Sequence, residues 1–114
     1  VVAGGSHHMI RFDSRDSINP YNPFLGMWMT ITRRTVDGGT VNPEEALTRE
    51  QALRLWTING AYLTFEEKDK GSIVPGKLAD LAVISDDLLT CPVERIKDIE
   101  ALVTVVGGRE VFRR

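Results

Sequence analysis

The sequence has little of the features that mark several protein classes. Its 114 residues contain one cysteine, Cys91, so no disulfide can form within the chain, and a reducing, cytoplasmic location is expected. No apolar run approaches the roughly 20 residues that cross a bilayer. The 14 Lys and Arg residues are balanced by 16 Asp and Glu residues, a net charge of −2. Neither nucleic acid nor an anionic membrane is therefore an expected partner.

Apolar spacing and turn-forming residues predict one strand, two main helices and a final group of strands. Val1–Ala3, before two glycines, is typical of the end of a strand buried on both faces. Asn22 predicts the N-cap of a helix that extends to residue 35, and Thr48 with Gln51 predicts a capping box that opens a helix extending to residue 63. The other predicted elements are helical turns at 42–45 and 93–99 and strands at 78–84, 102–106 and 110–112, with a Gly-Gly hairpin turn at 107–108.

A glycine-rich stretch matches most of a phosphate-binding motif. Gly71, Gly76 and Lys77 fit the pattern GxxxxGK[ST], but Leu78 stands where a hydroxyl is required. The stretch also precedes a predicted strand, whereas a phosphate loop opens a helix whose N–H groups bind the anion. We therefore predict a structural turn in which Gly76 supplies an unusual backbone angle.

The same stretch carries a family resemblance. Residues 71–83 match the form G-S-x-x-x-G-K-x-A-D-L-x-V, and residues 104–111 match T-x-V-x-G-x-x-V. Upstream, residues 52–61 match A-L-x-x-x-T-x-N-x-A, and NPFLGMWMTITRRT is similar to a helix of one branch. On these motifs the chain resembles the C-terminal end of the amidohydrolase superfamily, in the family-3 branch that includes enzymes similar to N-substituted formamide deformylases.

The resemblance implies a fold larger than this chain. Members combine a (β/α)8 barrel, which carries the metal site, with a small β-sandwich built from both chain ends. Residues 1–70 would be the last barrel strand and the helices after it, and residues 71–114 the C-terminal part of the composite sandwich. The expected fold class is thus an α+β fragment of that assembly. The earlier barrel strands, with their His-x-His ligands, bridging residue and two further histidines, are not in this sequence.

The resemblance also assigns a role to the first histidine. Family members place an aspartate at the C-terminal end of the last barrel strand, often after Gly-Ser, where it binds the metal and takes a proton from the attacking water. Aligned on Gly5 and Ser6, that position is His7. Imidazole binds zinc and transfers protons, so His7 is the expected catalytic residue and metal ligand. The change removes a negative charge beside the metal.

Two other interpretations of the histidine pair stay open. One is a zinc site formed by this chain alone from His7 and His8 with Asp13 and Asp16. Against it, neighbouring side chains on a strand point to opposite faces, and a catalytic zinc takes three protein ligands. The other is that GSHHM is the remnant of a cleaved affinity tag, although VVAGG precedes it in a strand-like pattern.

Four other residues of chemical interest have structural interpretations. Trp28 and Trp56 lie on apolar helix faces and are predicted to be core residues. Cys91 precedes a proline with no base nearby in sequence, which does not favour a nucleophile. Asp80 matches the aspartate of the family's A-D-L motif, for which a structural role in the turn is expected.

The resemblance implies hydrolysis of a C–N bond, in an amide or formamide-like small molecule, by water that a divalent metal activates. Zinc is the expected ion in the intact enzyme. This chain alone would lack the other ligands, bind no metal and be inactive. The expected partners are the small-molecule substrate and further copies in a homo-oligomer. The alternative is an autonomous or catalytically dead α+β module that self-associates or binds a partner.

Overall fold

The computed structural model describes residues 1–5, 22–35 and 38–114 of the chain. In these ranges four helical segments come first and a three-stranded antiparallel sheet follows, with one further helical segment between its first two strands. This arrangement confirms the α+β class. None of the described helices is long and apolar enough to cross a membrane. The elements are α1 (Pro23–Thr32), a first 3₁₀ helix (Pro43–Glu45), α2 (Arg49–Leu55), α3 (Ile58–Leu63), β1 (Leu81–Ile84), a second 3₁₀ helix (Val93–Asp98), β2 (Ala101–Val106) and β3 (Arg109–Arg113).

Helix α1 begins where the sequence predicts and ends three residues early. The Asn22 side-chain oxygen accepts the backbone N–H of Phe24 at 2.9 Å, which confirms the predicted N-cap. The helix stops at Thr32 because Arg33 adopts a left-handed backbone, with φ 58°. The Arg33 N–H then donates to the Met29 carbonyl at 2.8 Å and satisfies one of the last helical acceptors.

The single helix predicted from the capping box is two helices. The box itself is confirmed, because the Gln51 N–H donates to the Thr48 hydroxyl at 3.2 Å and the Thr48 N–H donates to the Gln51 side chain at 2.8 Å. The first helix ends at Leu55, with Trp56 as its C-cap, and the backbone of Thr57, with φ −129° and ψ −95°, redirects the chain into α3. The Thr57 hydroxyl donates to the Leu53 carbonyl at 2.7 Å, a local bond that competes with helical pairing.

The strand predicted at Val1–Ala3 is wrong for this structure. Residues 1–5 join no strand ladder, and Val1 and Val2 are 73% and 70% exposed. A strand buried on both faces needs neighbouring strands to accept its hydrogen bonds, and no described strand lies beside this segment. The segment instead contacts α2 and α3, as described below.

The sheet is a meander in the order β1-β2-β3, with both strand pairs antiparallel. The predicted turn between the last two strands is confirmed. Gly107 and Gly108 have φ values of 56° and 78°, the positive angles that a two-residue hairpin of this twist requires.

Strand β1 begins at Leu81, three residues later than the apolar run suggests. The residues before Leu81 make hydrogen bonds outside the strand ladder: the Leu78 N–H donates to the Asp69 carbonyl at 2.8 Å. The Asp80 carboxylate accepts the N–H of Gly107 at 2.7 Å and so ties the entry of β1 to the hairpin turn. This is the structural turn role that was expected of Asp80.

The core lies between α1, α2 and the second 3₁₀ helix. Ile96 and Ala52 are 0% exposed, and Trp28 is 5% exposed, which confirms the prediction for that tryptophan. No residue of the three strands is fully buried, and among them only Ile84 of β1 packs against the edge of the core, so the described residues leave most of the sheet uncovered. The core cluster comprises Met27, Trp28, Ala52, Leu88, Cys91, Ile96 and Ile99.

Candidate functional site

The histidines singled out by the sequence lie outside the described residues. His7, the assigned catalytic residue and metal ligand, falls with His8, Asp13 and Asp16 within residues 6–21. The role of His7 and the three interpretations of the histidine pair therefore stay predictions. The structure does describe the frame on either side of this segment, and that frame defines the candidate site.

Two hydrogen bonds hold the start of the chain against the junction of α2 and α3. The Gly4 N–H donates to the Leu55 carbonyl at 2.8 Å. The Asn59 side-chain amide donates to the Val2 carbonyl, also at 2.8 Å. We call Val2, Gly4, Leu55 and Asn59 the N-terminal clamp. It fixes the backbone immediately before Ser6 and His7.

The indole of Trp56 packs between two glycines beside the clamp. A Cβ built on Gly4 would lie 2.7 Å from Trp56 Cε2 and Nε1, and one built on Gly26 would lie 2.4 Å from Cζ2. Only glycine fits at such distances, so both positions let the ring reach between α1 and the start of the chain. Trp56 is half-buried against the edge of the core, as predicted, and its buried ring N–H has no acceptor among the described residues.

Adding one methyl group on each of two helical glycines tests this packing. We expect Gly26→Ala to lower the free energy of unfolding by about 1–2 kcal/mol, because overpacking against Trp56 outweighs the roughly 1 kcal/mol that alanine gains over glycine in a helix. Gly60→Ala is the matched control, since a Cβ there meets nothing within 4 Å. It should raise the free energy of unfolding by about 0.4–1 kcal/mol in urea denaturation. Equal stabilisation by both substitutions would contradict the packing of Trp56.

The other end of the segment is fixed at Asn22. Besides capping α1, the Asn22 side-chain amide donates to the Lys97 carbonyl in the second 3₁₀ helix at 2.9 Å. The Lys97 ammonium lies 5.2 Å from the centroid of the Trp28 ring, within the range of a cation–π contact. The described residues on both sides of 6–21 are therefore hydrogen-bonded to the rest of the fold.

The glycine-lysine stretch is a structural turn, as predicted. The Lys77 ammonium donates to the Glu67 carbonyl at 2.5 Å, to the Lys70 carbonyl at 3.3 Å and to the Ser72 hydroxyl at 2.8 Å. These bonds use its three donors, so none is left for a phosphate. Gly76, with φ 95°, supplies the unusual backbone angle.

An open cleft of about 430 Å³ lies between α3 and the entry of β1. Its charged groups are already paired: Lys70 Nζ lies 2.8 Å from a carboxylate oxygen of Glu66. That hydrogen bond, followed by one from the Thr64 hydroxyl, lowers the pKa of Glu66 and keeps the carboxylate ionised. Asp80 lines the same cleft but accepts the Gly107 N–H. Both carboxylates of the cleft are therefore already engaged in hydrogen bonds that serve the local structure.

The single cysteine is a core residue. Cys91 is 5% exposed, carries a free thiol and belongs to the buried cluster. Its sulfur lies 4.0 Å from the Arg49 guanidinium, which donates to the Leu88 carbonyl at 2.8 Å. Burial keeps substrates away from the thiol. Sequence reasoning missed the role of Arg49 because its partner lies 39 residues further along the chain.

The described residues do not fit a catalytic metal. Within residues 1–5, 22–35 and 38–114, no group of three His, Cys, Asp or Glu side chains is placed to hold an ion. A catalytic zinc takes three protein ligands. The described residues alone therefore do not supply the ligand set of a catalytic zinc.

Four of the matched positions in the helical motif at residues 52–61 have a structural role. Ala52 and Ala61 are buried, at 0% and 6% exposure, and Ala52 belongs to the core cluster. Thr57 makes its bond at the helix break, and Asn59 reaches the Val2 carbonyl. Sequence reasoning placed Asn59 on a helix face and missed this contact. The spacing of threonine and asparagine in the motif was the available signal for this contact, but that spacing does not indicate which group Asn59 binds.

Comparison with known proteins identifies the family. The model of the amidohydrolase family matches residues 12–112. An N-substituted formamide deformylase of Arthrobacter pascens is 36% identical over 88 residues, which cover 77% of this chain and 16% of that protein. A Bacillus subtilis (strain 168) protein that carries the name amidohydrolase YtcJ is 29% identical over 100 residues, which cover 85% of this chain and 19% of that protein.

A plant protein is similar over a shorter region. LONG AFTER FAR-RED 3 of Arabidopsis thaliana is 36% identical over 72 residues, which cover 61% of this chain and 12% of that protein. No solved structure matches the chain significantly. The chain thus spans 12–19% of the length of these curated relatives. Because the family model covers most of its residues, the chain belongs to the amidohydrolase family.

Proposed function

We propose that this chain is the C-terminal part of a metal-dependent amidohydrolase that cleaves a C–N bond in an amide or formamide-like small molecule. The family match over residues 12–112 carries the proposal. The similarity to an N-substituted formamide deformylase favours formamide-like substrates. In this proposal residues 1–70 end a (β/α)8 barrel, and residues 71–114 belong to a composite β-sandwich.

The uncovered sheet supports a place within a larger fold. Val106, Val111 and Phe112 are 52%, 61% and 48% exposed, and no residue of the three strands is fully buried. Exposed apolar side chains that cluster on one element often mark an interface. A second sheet from the same polypeptide would cover one face and bury the apolar side chains on that face, as in other β-sandwiches.

His7 takes the proposed catalytic position, where the family has aspartate. A divalent metal, zinc in this proposal, would activate water in the intact enzyme. The described residues supply no ligand set for it, so we assign them no catalytic step and propose that this chain alone is inactive. Their contribution is to hold the segment that carries His7.

A comparison of two proteins tests the proposal. The full-length protein that contains this chain and the 114-residue chain alone are each loaded with zinc or manganese and given an N-substituted formamide. We expect formate release from the first and none from the second. Equal turnover by the chain alone would contradict the claim that the ligands lie elsewhere. No turnover by the metal-loaded full-length protein on a panel of formamides and amides would contradict the enzymatic proposal.

The same uncovered sheet favours the alternative, a catalytically dead module that associates through this surface. That reading predicts no turnover in the experiment above and self-association of the chain in light scattering; a monomer at high concentration contradicts it. We also propose that the intact enzyme associates into a homo-oligomer. A cytoplasmic location is also proposed, supported by the free thiol of Cys91.

A further inference from the structure

We infer that Asn59 is a positioning residue: by holding the Val2 carbonyl, it fixes the backbone that leads to His7. Its consequence for catalysis rests on the proposed function. The attachment itself rests on geometry alone, since Asn59 Nδ2 lies 2.8 Å from the Val2 carbonyl oxygen across 57 residues of sequence.

The attachment has two points. Asn59 holds the carbonyl of Val2, and the Leu55 carbonyl holds the N–H of Gly4, each at 2.8 Å. One hydrogen bond would leave the segment free to rotate about it. Two bonds, two residues apart on the segment, fix both its position and its direction as it approaches His7.

The break between α2 and α3 makes this clamp possible. In an unbroken α-helix the Leu55 carbonyl would accept the backbone N–H four residues later, which is that of Asn59. The turn at Thr57, with φ −129° and ψ −95°, interrupts that pattern. The Leu55 carbonyl can then accept the Gly4 N–H, while the Asn59 side chain lies over Val2.

The chemistry at position 59 requires a short side chain with a donor. The partner is a carbonyl oxygen, which only accepts, and an amide supplies the N–H. A carboxylate of the same shape would place two acceptors against the carbonyl, and a leucine would supply no donor. Trp56 reinforces the clamp from the other side, because its ring contacts Gly4 where no Cβ fits.

The test uses Asn59→Leu and Asn59→Asp in the full-length protein. Thr64→Val is the matched control: it removes a side-chain donor at the far end of α3, where the Thr64 hydroxyl donates to the Ala61 carbonyl at 3.1 Å. Hydrogen-exchange mass spectrometry follows the peptide that contains residues 1–5. We expect exchange there to be about three- to tenfold faster in both Asn59 variants, the range that one net hydrogen bond gives, and unchanged in Thr64→Val.

Enzyme kinetics supply the second readout. Misplacement of His7 should lower kcat by about tenfold or more and leave KM nearly unchanged in the Asn59 variants, whereas Thr64→Val should change neither. Unchanged exchange of residues 1–5 in both Asn59 variants would overturn the clamp. Faster exchange with an unchanged kcat would overturn the positioning role. An unsubstituted protein without activity would count against the proposed function, while the exchange measurement would still decide the clamp.

Discussion

His7→Ala is expected to lower the kcat of the full-length protein by about 100-fold or more, because a positioned proton-transfer group contributes about 10²–10⁴ to the rate. The variant is compared with the unsubstituted protein by initial rates of formate release at saturating substrate. The expectation follows from the resemblance that places His7 where the family has aspartate, and from the family membership of the chain.

The adjacent histidine provides the control. His8→Ala makes the same change one residue further on, and we expect its kcat to stay close to that of the unsubstituted protein, because the resemblance assigns the catalytic position to His7 and none to His8. His7→Asp should retain more activity than His7→Ala, since a carboxylate also transfers protons. Equal losses in His7→Ala and His8→Ala would contradict the assignment of His7, and a fully active His7→Ala would refute it.

Ile96→Ala is expected to lower the free energy of unfolding by about 2–4 kcal/mol, the usual cost of removing a fully buried isoleucine side chain. Ile96 is 0% exposed and is the largest fully buried side chain in the described part of the chain. It packs in the same cluster as Trp28, so tryptophan fluorescence during urea denaturation reports on the transition.

An identical substitution on the surface provides the control. Ile73 is 88% exposed in the turn before β1, and Ile73→Ala should change the free energy of unfolding by less than about 0.5 kcal/mol. A loss for Ile73→Ala as large as that for Ile96→Ala would show that the turn is covered in the protein and the core is placed elsewhere. Within the proposed larger enzyme, a moderate loss at position 73 would instead locate the covering surface near this turn.

Local sequence signals predicted the beginnings and turns of the elements well. Asn22 caps α1, and Thr48 and Gln51 form the capping box of α2. Gly107 and Gly108 form the hairpin turn with positive φ. Each of these features depends on hydrogen bonds or backbone angles within about four residues, so the local sequence contains what is needed to predict it.

Two larger errors, the unbroken helix and the strand at the start of the chain, show what apolar periodicity cannot predict. Apolar spacing predicted one helix that continues past Thr57, where the structure has a break between α2 and α3. The valines at the start of the chain suggested a buried strand, yet they are exposed and attached to α3 through Asn59. Periodicity reports which residues prefer burial, but it does not report which partner segment is present to bury them.

The sequence by itself determined the family and the local elements, because family motifs and caps are written in short stretches of chain. Only the tertiary structure decided that the buried core cluster contains no strand residue. It also decided that the Lys77 ammonium donates its hydrogen bonds within its own turn and that the Asn59 side chain binds the Val2 carbonyl. These outcomes depend on which distant groups meet in space. The Val2 carbonyl is 57 residues away from Asn59 in sequence, so the residues around Asn59 cannot identify it as the hydrogen-bond partner.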